Sequence, residues 1–163
     1  MTKKQILIDN KRNIYLMLLS ALGYDVDSTG YIIDQDTFNQ VRYRNKILKF
    51  NPNGDYIPLH NRDILFDPIE ERGMAEKLFT TLMERESEDG DLYMRIYYTV
   101  PDGPGICHLE AILENHNTGE TSVLKTASYK LVSDCYIDAI LRHTNIYNGY
   151  VESLNIIEEM LVE

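Results

Sequence analysis

The chain has 163 residues, 44% of them hydrophobic and 26% charged, with two cysteines and no tryptophan. That length fits one domain, and the composition excludes collagen-like, disulfide-scaffold and wholly disordered chains. The formal charge of −10 comes from 26 Asp and Glu against 16 Lys and Arg; it repels phosphate backbones, so general nucleic-acid binding is disfavoured.

The charge is unevenly placed. Residues 1–50 hold eight Lys/Arg against five Asp, and residues 51–163 hold eight against twenty-one Asp/Glu. No apolar run approaches the roughly 20 residues that a bilayer crossing needs, and Asp9–Arg12 breaks the N-terminal apolar stretch, so neither a membrane span nor a secretory signal is expected. Cys107 and Cys135 are too few for a disulfide framework, which favours a reducing compartment. Whether the two thiols meet is not readable from their spacing.

In chain order, residues 10–22 carry Ile14, Met17, Leu18 and Ala21 at helical spacing, with Asn10 as a candidate cap and Gly23 as the stop. Residues 24–59 change character. Tyr31–Ile33, Gln40–Tyr43 and Ile47–Phe50 are short runs of β-formers between turn residues, and they predict a small antiparallel ribbon. Asn51–Gly54 is a turn signal, and Pro58 belongs at an edge or a strand end. Asp67-Pro68 then reads as the cap and first position of a helix with Ala75, Leu78, Phe79, Leu82 and Met83 on one stripe, ending near Arg85. After the acidic loop Glu86–Asp91, three β-rich runs (Leu92–Val100, Ile106–Leu113 and Thr121–Leu131) are joined by turns at Pro101–Gly105 and Asn117–Gly119. Ser133 or Asp134 is the candidate cap of a helix carrying Tyr136, Ile137, Ile140 and Leu141. A last helix, about Tyr150–Leu161, is expected to bury Val151, Leu154, Ile157 and Leu161. The expectation is a single α+β domain over residues 1–163, an antiparallel β-meander flanked by about four helices.

Two segments qualify as sites. Asp25, Asp27, Thr29, Asp34 and Asp36 fall at positions one, three, five, ten and twelve of a calcium-type loop, with Gly30 at six. Hard oxygen ligands around a sharp glycine turn are what Ca2+ requires. Asp36 is shorter than the usual glutamate at twelve, however, and Asp27–Gly30 equally suits the turn of a β-hairpin. Arg42, Tyr43, Arg44, Lys46 and Lys49 form the one concentrated basic stretch. It fits either an acidic protein partner or a solvated ribbon face. Cys107, His108, His116, Cys135 and His143 lack paired metal-ligand spacing, and alternation along a strand points Cys107 and His108 to opposite faces. Adjacent carboxylates such as Glu70-Glu71 point apart, and no nucleophile or phosphate-loop motif occurs, so no enzyme activity is expected.

Leu22–Asp34 together with Asp63–Pro68 resembles small virion proteins of tailed bacteriophages, crAss-like phages among them. The resemblance implies a non-catalytic capsid, neck or tail subunit, found in the virion or the host cytoplasm. The charge asymmetry, with no catalytic group beside it, leads to the expectation that such a subunit contacts other protein subunits and copies of itself through the basic ribbon and acidic helices. A calcium-binding module through Asp25–Asp36 is one alternative. The other is a phage accessory factor binding a host protein or a small nucleotide through Arg42 and Arg44.

Overall fold

The structure, a computed structural model, describes residues 2–51, 59–88, 92–146, 149–150, 152–155 and 159. It is α+β, as expected. Its contacts divide the chain into two compact units, Met1–Asp67 with Glu152–Glu163, and Pro68–Val151.

The first unit opens on α1 (Lys3–Ala21), which starts seven residues before the expected position. Thr2 is the cap, its hydroxyl accepting the Gln5 N–H at 3.1 Å, so the helix gains two turns from a threonine outside the apolar pattern. Asn10 is interior and donates from Nδ2 to the Ser153 carbonyl at 2.9 Å. Gly23 ends the helix with φ 70°. The buried face carries Ile14, Tyr15, Leu18, Leu19 and Leu22, and the Tyr15 ring meets Phe66 edge-on at 5.3 Å.

Two small sheets follow. β1 (Tyr24–Val26) and β2 (Ile32–Asp34) form an antiparallel hairpin. β3 (Arg42–Tyr43) pairs antiparallel with β4 (Lys46–Lys49), but β4 pairs parallel with β5 (Asp63–Leu65). The purely antiparallel ribbon expected here is therefore corrected. β5 is too short to stand out by alternation, and a parallel partner carries no local turn to announce it. Ile32, Ile47, Leu48, Phe50 and Phe66 fill the core beneath these strands. Pro52–Gly54 of the expected turn and the expected edge residue Pro58 lie outside the described residues.

The second unit holds α2 (Arg72–Glu88), β6 (Leu92–Gly103), β7 (Ile106–Asn115), β8 (Thr121–Lys125) and α3 (Val132–His143). β6, β7 and β8 pair antiparallel in chain order. The expected stripe of α2 is buried together with Met74. The helix begins at Arg72 and not at Asp67, whose carboxylate accepts the Tyr15 hydroxyl and lies 4.0 Å from Lys11 Nζ. Nor do Ser133 and Asp134 cap α3. Leu131 occupies the cap position, Ser133 Oγ donates to the Ile69 carbonyl, and Asp134 accepts the Tyr150 hydroxyl at 2.7 Å. Both helices pack on one face of the sheet, where Leu109, Ala111 and Leu113 of β7 and Phe79, Tyr136 and Ile140 of the helices are buried. Leu154 of the expected last helix is buried in the first unit. Val151, Ile157 and Leu161, with Gly90, Asp91 and Tyr147, lie outside the described residues.

Candidate functional site

The five residues of the calcium-type loop do not converge. Tyr24 faces Asp34 and Val26 faces Ile32, which sets Asp27 and Asp34 at opposite ends of the hairpin, about 10 Å apart at strand rise. The carboxylates of Asp25, Asp27 and Asp34 serve their own backbone. Asp27 Oδ1 accepts the Thr29 N–H at 2.8 Å, the Thr29 hydroxyl at 2.7 Å and the Tyr31 N–H at 3.0 Å. The Thr29 hydroxyl, with these backbone donors, holds Asp27 below its ordinary 3.8 against an opposing effect of burial that is smaller than that of the hydroxyl. Asp25 Oδ1 accepts the Val26 N–H, and Asp34 Oδ1 accepts those of Asp36 and Thr37; the Thr29 and Asp36 side chains are exposed. The segment is the hairpin. Among the described residues, no group of three His, Cys, Asp or Glu side chains is placed to hold a metal ion.

The basic stretch is split by its fold. Arg42 and Lys46 are exposed on the strands, whereas Arg44 lies in a two-residue turn with Asn45, at φ 51° and 65°. That mirror-image turn matches the twist of the strands it joins. Tyr43 turns inward and is buried, with the Arg44 guanidinium over its ring at 5.1 Å. Lys49 lies across the Tyr31 ring at the same distance. Below them Asp63 is buried, its Oδ2 accepting the Tyr31 hydroxyl at 3.0 Å and the His60 N–H at 3.1 Å. Burial opposes ionisation of Asp63, but these donors and the charges of His60 and Lys49 hold it below 3.8. In the same unit Phe38 is 74% exposed with φ 61°, a left-handed conformation that costs a bulky side chain free energy.

The most organised cluster is the face of the β6–β8 sheet turned away from α2 and α3. Cross-strand register builds it in rows: Ile96, Ile112 and Val123, then Tyr98, Glu110 and Lys125, then Val100 and His108. The first row is apolar yet open, with Ile96 51% and Val123 62% exposed. In the polar rows, buried His108 is held at both ring nitrogens, Nδ1 by Asp102 Oδ1 at 2.7 Å and Nε2 by Glu110 Oε1 at 3.0 Å. Asp102 also accepts the Ser128 hydroxyl, while Glu110 accepts the Tyr98 hydroxyl at 3.1 Å and lies 3.7 Å from Lys125 Nζ.

Hydrogen bonds from Asp102 and then Glu110 raise the His108 pKa above 6.5, against a smaller opposing effect of burial. Ser128 and then His108 hold Asp102 below its ordinary 3.8, and His108 and then Tyr98 hold Glu110 below 4.5. Serine, histidine and aspartate are all present, but not as a nucleophilic relay. Ser128 and His108 both bond Asp102 and not each other, and Glu110 occupies the second ring nitrogen. A triad needs the serine on that nitrogen. The sequence reading missed this cluster because it weighed His108 only as a ligand. The turn at Pro104-Gly105 is legible in sequence, but the register shift between Pro101 and Gly103 that accompanies the Asp102–His108 bond is not.

On the opposite face Cys107 and Cys135 do meet, with their sulfurs 3.6 Å apart, and strand alternation separates Cys107 from His108 as expected. Burial and the neighbouring Cys107 thiol push the Cys135 thiol up, so it stays protonated. Compared with known protein families, curated proteins and solved structures, the chain matches none. Among the described residues no helix is long and apolar enough to cross a membrane.

Proposed function

We propose that the chain is a non-catalytic subunit of a protein assembly, docking on its neighbours through the open face of the β6–β8 sheet. A virion of a tailed bacteriophage is the assembly implied by the resemblance over Leu22–Asp34 and Asp63–Pro68. One observation carries the reading: the apolar row Ile96–Ile112–Val123 stands uncovered on a three-stranded sheet whose other face is packed by helices. An antiparallel sheet that faces water is normally polar on its outer side, and a contiguous exposed apolar patch marks a contact surface. Covering what remains exposed of Ile96 and Val123 would contribute about 1 kcal/mol each. The polar rows alongside suit the rim of such a contact, because their charges are paired and presented as directional donors and acceptors.

The ionisable cluster supports docking more than turnover. It lies on an open sheet face, and both nitrogens of its one histidine are engaged. The test is assembly mass by static light scattering for the wild type and for Ile96→Lys, with circular dichroism to verify the fold. The reading expects wild-type mass above the 18.9 kDa of one chain and a fall toward that value in the variant.

A further inference from the structure

β8 is the terminal strand of its sheet and pairs on one side with β7. The Asn115 N–H donates to the Glu120 carbonyl at 2.9 Å and the Thr126 N–H to the Leu109 carbonyl at 3.1 Å. Bonded residues alternate along an antiparallel ladder. Glu120, Ser122, Leu124 and Thr126 therefore turn their backbone groups to β7, and Thr121, Val123 and Lys125 turn theirs to the open side. Among the described residues no strand pairs with that side. Beside it lies a cavity of about 480 Å³ between β8 and the end of α3, with Leu124, Leu141 and Ile146 among its walls. Proteins blunt such edges with proline, bulges or inward charges, and on β8 only Lys125 plays that part.

We propose that this edge docks the β8 edge of a second copy of the chain, antiparallel about a two-fold axis at Val123, to form a continuous six-stranded sheet. The inference rests on the assembly reading above and names one of its contacts. Three features select a second copy. First, the register centred on Val123 pairs all five strand residues and sets Lys125 opposite Thr121 of the copy, so no like charges face each other. Sliding the pairing until Lys125 becomes the centre would oppose the two ammonium groups, which is destabilising. Second, the apolar row Ile96–Ile112–Val123 ends on this edge with Val123 62% exposed, and the copy continues it with an identical row. Third, Leu124 lies on the helix-side face, opposite Ala111. In this register Ser122 of the copy falls beside Leu124, a wall of the cavity, and Thr121 of the copy beside Lys125, so the copy's strand runs along the open side of that cavity. A two-fold contact of this kind is self-complementary and closes without forming fibres.

Val123→Cys places a thiol on the axis, where hydrogen-bonded partners sit about 5.5 Å apart between Cα atoms, within disulfide range. Mild oxidation with diamide should convert this variant to a covalent species of twice 18.9 kDa on a non-reducing gel, while the wild type and Ser122→Cys stay as single chains. Val123→Pro removes an N–H that points away from β7, so it spares the ladder of its own sheet. It should weaken self-association at least tenfold by light scattering. Val123→Lys, which sets two ammonium groups face to face, should do the same if the proline variant folds poorly. Wild-type self-association combined with no cross-link through Val123→Cys overturns the edge contact and leaves the assembly reading standing. Self-association lost in Val123→Pro but unchanged in Ile96→Lys sustains the edge contact and removes the open face from that reading.

Discussion

Phe38 combines a left-handed backbone with an aromatic ring that is 74% exposed, so its conformation is not repaid by burial. Asparagine tolerates that region better, and Phe38→Asn should stabilise the protein by about 0.5–1 kcal/mol in urea unfolding. Strain held at an exposed aromatic is a pattern of contact sites; the same variant should therefore lose affinity if Phe38 meets a partner. His108 gives a second residue-scale prediction. Its folded pKa is raised, so its contribution to stability is complete below about 6.5 and fades as pH rises through the folded value. Asp102 and Glu110 have lowered values, and their contribution fades as acid protonates them below their ordinary 3.8 and 4.5. His108→Gln should flatten the decline in melting temperature as pH rises above 6.5, and an unchanged slope would refute the clamp. Such details are only partly legible in sequence. The Asp27 turn could be read because Asp, Ser, Thr and Gly bond locally. The His108 clamp could not, because it depends on which residues a hairpin register sets across from one another.

Elements were legible where one periodicity decided them. The stripe Ala75–Met83 is buried as its spacing predicts, and Phe79 lies at its centre, 5.5 Å from the Tyr97 ring and 5.8 Å from Tyr136. Phe79→Ala should cost about 3–5 kcal/mol by lost transfer and a residual cavity; a loss below 1 kcal/mol in urea unfolding would show that this seam is not the core of its unit. The starts of elements were less legible because tertiary partners claim capping side chains. Asp67 looks like a helix cap but is held by Tyr15, and Asn10 looks like one but reaches Ser153. Thr2 is a cap that apolar spacing does not reveal. The parallel β4–β5 pair joins strands too short and too separated to show a turn between them.

At the scale of the whole molecule, composition indicated the class, and burial shows where the chain leaves apolar surface uncovered. The lopsided charge pointed to docking, and its basic residues are partly spent within the fold: Arg44 lies over the buried Tyr43 ring and Lys49 over that of Tyr31. The sheet face of the second unit, unremarkable in sequence because Ile96, Ile112 and Val123 fall on three separate strands, became the stronger candidate once register aligned them. The most direct test of that assignment is light-scattering mass across a concentration series for the wild type and Ile96→Lys. The account predicts a wild-type mass that rises above 18.9 kDa with concentration and a variant whose mass stays lower, no higher than two edge-paired chains, with its fold intact. A wild type that scatters as one chain at every concentration, or a variant that assembles equally well, would contradict it.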